Sequence, residues 1–307
     1  MIISIKNNWD DAFDIHNEYV NSLIDDFKST IKSPRNLSRH TIDFLNEIKS
    51  FILSSKLEDL KIAARYYDAF IAFNSNEPKI IERLNVDLKK IFNYKRFSTK
   101  KKSYDAYDLC AKSKTRTCPY CNQAYSFTIC EPEGALRPTL DHFYSKDHYP
   151  HLSLSLSNLI PSCSICNSSL KNIKNFIKTP HLHPLFDDEK INFKLVGIDN
   201  NSNLANLMDI NHKDFKIEIV KVKCKKANES IRTFLIEKRY ENMIFEAIDF
   251  ARNLRTFEEY ILNDQLKISE SPRTKTITYF DDANYSRYLL GKLYHDIYQQ
   301  LKTSTHT

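Results

Sequence analysis

Glycine is nearly absent: the 307 residues contain three, Gly134, Gly197 and Gly291, each far from the others. A Walker A loop or a dinucleotide fingerprint needs several glycines within a few residues, because the backbone must come close to the phosphates. Neither loop can be written with these three, so ATP or NAD binding by those routes is excluded, and any use of ATP belongs to another subunit. Long apolar runs are missing too; none approaches the roughly 20 residues that span a bilayer. Lys6 and Trp9 interrupt the short apolar stretch at the start of the chain, which therefore lacks the shape of a signal peptide. The expectation is a cytoplasmic protein. Seven cysteines is an odd count, and the cytosol is reducing, so paired cysteines are read first as metal ligands.

The 41% hydrophobic content is enough for one large domain with an appendage or for two modest domains. A net charge of +6 suits a polyanionic partner without requiring one. Residues 1–95 read as a helical region. Segments 9–31, 38–54, 57–73 and 80–92 carry apolar residues at three- and four-residue spacing, and Leu57, Leu60, Ala64, Tyr67 and Ile71 make a buried stripe in the third. From Lys95 the chain turns basic and aromatic. Lys112, Lys114 and Arg116 end that stretch, which is either a solvated face or a segment that contacts phosphates. Residues 181–307 form a third region. There 191–198 and 215–223 alternate as half-buried strands, residues 199–202 are turn-like, and 229–265 and 282–302 are helical. Phe234, Ile236, Tyr240, Ile244, Ala247 and Ile248 read as core.

The informative block lies in residues 96–180. Cys118-Pro119-Tyr120-Cys121 and Cys163-Ser164-Ile165-Cys166 are two C-x-x-C knuckles. Together they supply four thiolates for one structural zinc, with no position left open for substrate. Cys110, Cys130 and Cys224 lack partner spacing and read as plain buried residues. The gap between the knuckles exceeds that of an ordinary zinc ribbon, so something substantial is inserted. The insert carries Leu140-Asp141-His142-Phe143, Tyr149-Pro150 and Leu156-Ser157-Asn158-Leu159-Ile160-Pro161, and Asn167 follows the last cysteine, with Lys171 a turn later.

This pattern resembles the HNH nuclease family, and within it the PtuB-type nuclease subunit of Septu anti-phage systems, which also occurs beside retrons. Residues 118–176 carry the resemblance, and the segment from Leu289 to Ile297 carries it more weakly. It implies an α+β, mostly helical protein: a ββα-metal core with a four-cysteine zinc clip, flanked by helical regions. It further implies a phosphodiester hydrolase acting in phage defence, most simply on double-stranded DNA, with an ABC-type ATPase subunit (PtuA-like) as partner, within a retron complex in some settings.

The chemistry of the residues agrees. Phosphodiester hydrolysis needs a base for water, a holder of negative charge and rigid placement. His142 suits the base, because an imidazole is largely neutral near pH 7. Asp141 and Asn167 offer oxygen ligands to Mg²⁺ or Mn²⁺, a set weak enough that the ion should bind poorly without substrate. Neighbours on a strand point to opposite sides, so Asp141 can serve the metal while His142 serves the water. Asn158 orients His142 and pins the intervening loop, and Lys171 is a candidate phosphate contact. His181, His183 and Asp187 follow the block and read as ordinary surface or core residues. Two other functions fit the same pattern: cleavage of RNA such as tRNA by the same residues, and a zinc-stabilised binding module that would keep its whole function in His142→Ala.

Overall fold

The computed structural model describes residues 1–33, 36–101, 103–198, 212–262 and 279–304. The expected helices of the first region are present: α1 (Phe13–Thr30), α2 (Ser38–Ile52), α3 (Leu57–Phe73) and α4 (Pro78–Ile91). Pro78 opens α4, where its missing N–H costs no helical hydrogen bond. In α3 the stripe faces inward, with Leu60, Ala64 and Tyr67 buried and Leu57 and Ile71 half-buried at its ends. Helix α2 packs on both α3 and α4. Two short helices, α5 (Tyr94–Ser98) and α6 (Ala106–Ala111), occupy the basic stretch. Asp105 caps α6 by accepting from the backbone N–H groups of Tyr107 and Asp108.

The strands form three separate antiparallel pairs. They are β1 (Ile129–Glu131) with β2 (Gly134–Leu136), β3 (Thr139–His142) with β4 (Leu159–Ser162), and β5 (Phe193–Gly197) with β6 (Phe215–Ile219). The turn expected at 199–202 lies outside the described residues. The helix expected over 229–265 is three pieces, α7 (Lys225–Thr233), α8 (Ile236–Glu241) and α9 (Ile244–Leu262), and residues 263–265 lie outside the described residues. Leu235 breaks the run with a left-handed backbone, φ 51°, and the break seats Phe234 flat on Tyr120, centroids 4.4 Å apart. Periodicity registers the apolar faces but not the turn between them. The final helix is also shorter than expected: residues 282–287 are 3₁₀, and α10 (Gly291–Ser304) starts after Leu290, another left-handed residue.

All three regions close on the cysteine block. Ser155 donates to the carbonyl of Ile52 at 2.8 Å, and the His151 ring meets the carbonyl of Ala63 at 3.1 Å, so the β3–β4 loop sits on the N-terminal helices. From the other side α10 is tied to the first knuckle through Asn122, whose main-chain and side-chain oxygens accept from Leu290 and Lys292. Gly291 lies between them. A Cβ there would stand 1.9 Å from the Tyr285 carbonyl oxygen, so only glycine lets α10 dock. The buried apolar residues, from Met1 to Leu301, form one contiguous cluster. Among the described residues no helix is long and apolar enough to cross a membrane.

Candidate functional site

The four cysteine sulfurs of Cys118, Cys121, Cys163 and Cys166 lie within 4.8 Å of one another. A tetrahedral ion with bonds of about 2.3 Å sets sulfurs roughly 3.8 Å apart, and Cys121 and Cys163 stand at 3.9 Å. The cluster therefore fits a metal ion, as the two knuckles lead one to expect. The first knuckle is shaped by its own backbone. Cys121 and Asn122 both donate to the carbonyl of Cys118, and Asn122 takes the left-handed conformation, φ 54°, that asparagine tolerates. The guanidinium of Arg239 donates to the Cys166 sulfur at 3.4 Å, a positive charge that suits a cluster of thiolates.

Between the knuckles β3 pairs with β4 so that Asp141 faces Ile160 and His142 faces Leu159 across the ladder. The two neighbours use different partners, as the alternation of a strand requires. Asp141 is buried; Tyr120 donates to one carboxylate oxygen at 2.6 Å and Lys171 to the other at 2.8 Å. The His142 ring stands edge-on to Tyr94, centroids 4.4 Å apart, and its Nε2 meets the carbonyl of Ser153 at 3.0 Å. That contact assigns the ring proton to Nε2 and leaves the Nδ1 lone pair for a proton acceptor's work. Burial lowers the His142 pKa to about 4, against the pull of neighbouring Asp141, so the ring is neutral at pH 7. Tyr94, pushed up to about 12 by burial, stays a neutral phenol.

Asn158 is fully buried and makes three hydrogen bonds. Its carbonyl oxygen accepts from the Tyr144 amide, and its NH₂ donates to the carbonyls of Tyr144 and Leu152. It fixes the loop, and through Leu152 it fixes the adjacent Ser153 carbonyl that orients His142. Its side-chain hydrogen bonds go to the loop backbone and not to the histidine ring.

After β4 the chain forms one wide π-helical turn, Ile165–Lys171, closed by the Asn172 amide donating to the Asn167 carbonyl at 2.9 Å. The α-helix expected from the resemblance is this turn instead. Lys171, read from sequence as a phosphate contact or a solvated helix residue, is 2% exposed, bonded to Asp141 and, at 2.6 Å, to the carbonyl of His142. Asn167 is half-buried and lines the same cavity of about 430 Å³ as Asp141, His142 and Lys171. Arg137, which sequence reading missed, lines it too. Its guanidinium donates to the carbonyls of Pro138 and Ser98, and its Nε has no partner among the described residues. An arginine two residues before a Thr-Leu-Asp-His strand was the available signal.

Lys112, Lys114 and Arg116 do not line this cavity. Lys114 pairs with Asp10 and Asp11, and together with Arg116 it borders a separate hollow beside residues 4–8. His181 and His183 are buried against Phe176 and Phe143, and Asp187 pairs with Lys226. Cys110 is buried as expected, whereas Cys130 is exposed and Cys224 only half-buried.

Comparison with protein-family models, curated proteins and solved structures finds no match. The oxygen donors expected for Mg²⁺ or Mn²⁺ do not form a ready ion site: both oxygens of Asp141 are engaged, one by a phenol and one by an ammonium. Among the described residues the one other carboxylate lining the cavity, Asp147, is exposed and pairs with Lys146. What remains is the neutral His142 imidazole, the amides of Asn167 and Asn172, and three cations, Arg137, Lys146 and Lys171, around one hollow.

Proposed function

We propose that the protein is an HNH-type endonuclease that hydrolyses phosphodiester bonds in nucleic acid, with duplex DNA as substrate, and that it serves as the effector of an anti-phage system beside an ABC-type ATPase subunit. The observation that supports this most is the convergence on one cavity of His142 from β3 and of Asn167 and Lys171 from the π turn, at a joint held by four cysteines. His142, with Nε2 fixed on Ser153, takes the proton from water at Nδ1. An ammonium has three N–H donors; Lys171 uses two on Asp141 and the His142 carbonyl, and the third can go to the phosphate. Arg137 is the second cation at that phosphate, and the Asn167 amide steadies the departing oxygen. The cysteine cluster holds zinc, which serves only to fix the two knuckles.

Purified protein incubated with plasmid DNA and with tRNA, alone and with the ATPase, should cut one of them. His142→Ala should lower the rate by at least about a hundredfold, in line with the contribution of a positioned base. Equal cutting by the variant would remove His142 from the mechanism. Cleavage of tRNA alone would change the substrate to RNA.

A further inference from the structure

We infer that Lys171 is the resident cation of this site: its ammonium holds the position at Asp141 that a divalent ion would take, and it excludes that ion from the free protein. The inference deepens the nuclease reading by naming what neutralises the site, and it rests on that reading for its bearing on cleavage.

Four observations carry it. Lys171 and Asp141 form an ion pair at 2.8 Å in which each side chain is 2% exposed. Such a pair is costly to break from one side, because the group left behind is a bare buried charge. The ammonium is held from a second direction by the His142 carbonyl at 2.6 Å, and it stands over the Phe176 ring at 4.9 Å. Its backbone is fixed as well: the π turn ends in Asn172 at φ 46°, which closes the turn directly after Lys171. Finally, the other oxygen of Asp141 accepts from Tyr120, a buried phenol stacked on Phe234, so the carboxylate is held to the ammonium and cannot turn to offer a second oxygen. A hard divalent ion wants several oxygen ligands and a vacant carboxylate. Here it meets the engaged carboxylate of Asp141, the Asn167 amide and a fixed positive charge.

Removing the charge while keeping the length of the side chain should turn the cavity into a divalent-ion site. Zinc-loaded Lys171→Met should bind Mn²⁺, followed by electron paramagnetic resonance, on the order of a hundredfold more tightly than the wild type, the scale expected when a buried ion pair no longer has to be broken. Lys171→Met combined with Asp141→Asn should lose that gain. Equal Mn²⁺ affinity in Lys171→Met and wild type would overturn the inference. Should Lys171→Met fail to fold, the wild type alone decides. Mn²⁺ should leave the His142 ring signals sharp in carbon-13 NMR, assigned by their loss in His142→Ala. Paramagnetic broadening of those signals means that the ion reaches Asp141 past Lys171, and the inference fails. These measurements read ion binding and not cleavage, so their failure and failure of the nuclease reading are separate results.

Discussion

At the scale of the residue, the side chain with most leverage on the site's shape is one that takes no part in the chemistry. Asn158 joins the two ends of the β3–β4 loop with three buried hydrogen bonds, and the loop presents the Ser153 carbonyl to His142. Asn158→Ala strips the Tyr144 N–H and carbonyl of their partner and leaves the Leu152 carbonyl with the Ser155 N–H alone; each buried group left bare costs about 1–3 kcal/mol, so a loss of about 2 kcal/mol or more is expected in denaturant unfolding. The cleavage rate should fall with it, because the imidazole loses its orienting acceptor. A destabilisation under about 1 kcal/mol would mean that water replaces the amide and that the loop does not depend on it. Asp141, His142 and Asn158 were each legible from their order and framing. The Asp141–Lys171 pair was not, because a lysine four residues beyond Asn167 on an α-helix carries no mark that distinguishes inward from outward.

At the scale of the element, the knuckles join strands, the π turn and the C-terminal helix at a single point. Cys118 and Cys121 flank Tyr120, which reaches Asp141; Cys163 and Cys166 bracket the start of the π turn, which carries Asn167 and Lys171; and Asn122 anchors α10. Few regular hydrogen bonds hold these short pieces together, so an ion held by the four cysteines should supply much of their folding free energy. One zinc per chain is expected by metal analysis. Its removal by a chelator, or Cys166→Ser, should lower the thermal midpoint sharply and expose the segment after β4 to protease. An unchanged midpoint in metal-free protein would show that the cysteines contribute packing alone.

At the scale of the whole molecule, five histidines among the described residues are buried: His16, His142, His151, His181 and His183. Burial lowers His16, His142 and His181 to about 4 and His151 to about 3, and holds His183 well below the ordinary value of 6.5. Each is neutral when folded but takes up a proton when unfolded as the pH falls below 6.5, so the unfolded state binds more protons and stability decreases with falling pH. The stabilisation is complete above that pH and is lost progressively down to about 4. Each histidine contributes a slope of up to about 1.4 kcal/mol per pH unit. Against a usual stability of about 5–15 kcal/mol, five together should unfold the protein before pH 4, with the midpoint set by circular dichroism. A flat stability from pH 7 to pH 5 would show that these rings reach solvent in the folded state.

The sequence by itself determined the helices of the first region, because apolar spacing reports the buried face of a helix directly, and the cysteine cluster, because two C-x-x-C pairs have few other uses. It also determined the β3–β4 pair with His142 at its end, through the order of its motifs. Tertiary structure alone decided which way Lys171 turns, which cation joins the cavity, where the long C-terminal pattern breaks, and that Asn122 and Gly291 dock α10. The reason is physical. Periodicity is a property of neighbours along the chain, whereas a buried ion pair or a left-handed break such as Leu235 exists only because a partner distant in sequence, Asp141 for the lysine and Tyr120 for Phe234, stands where it does.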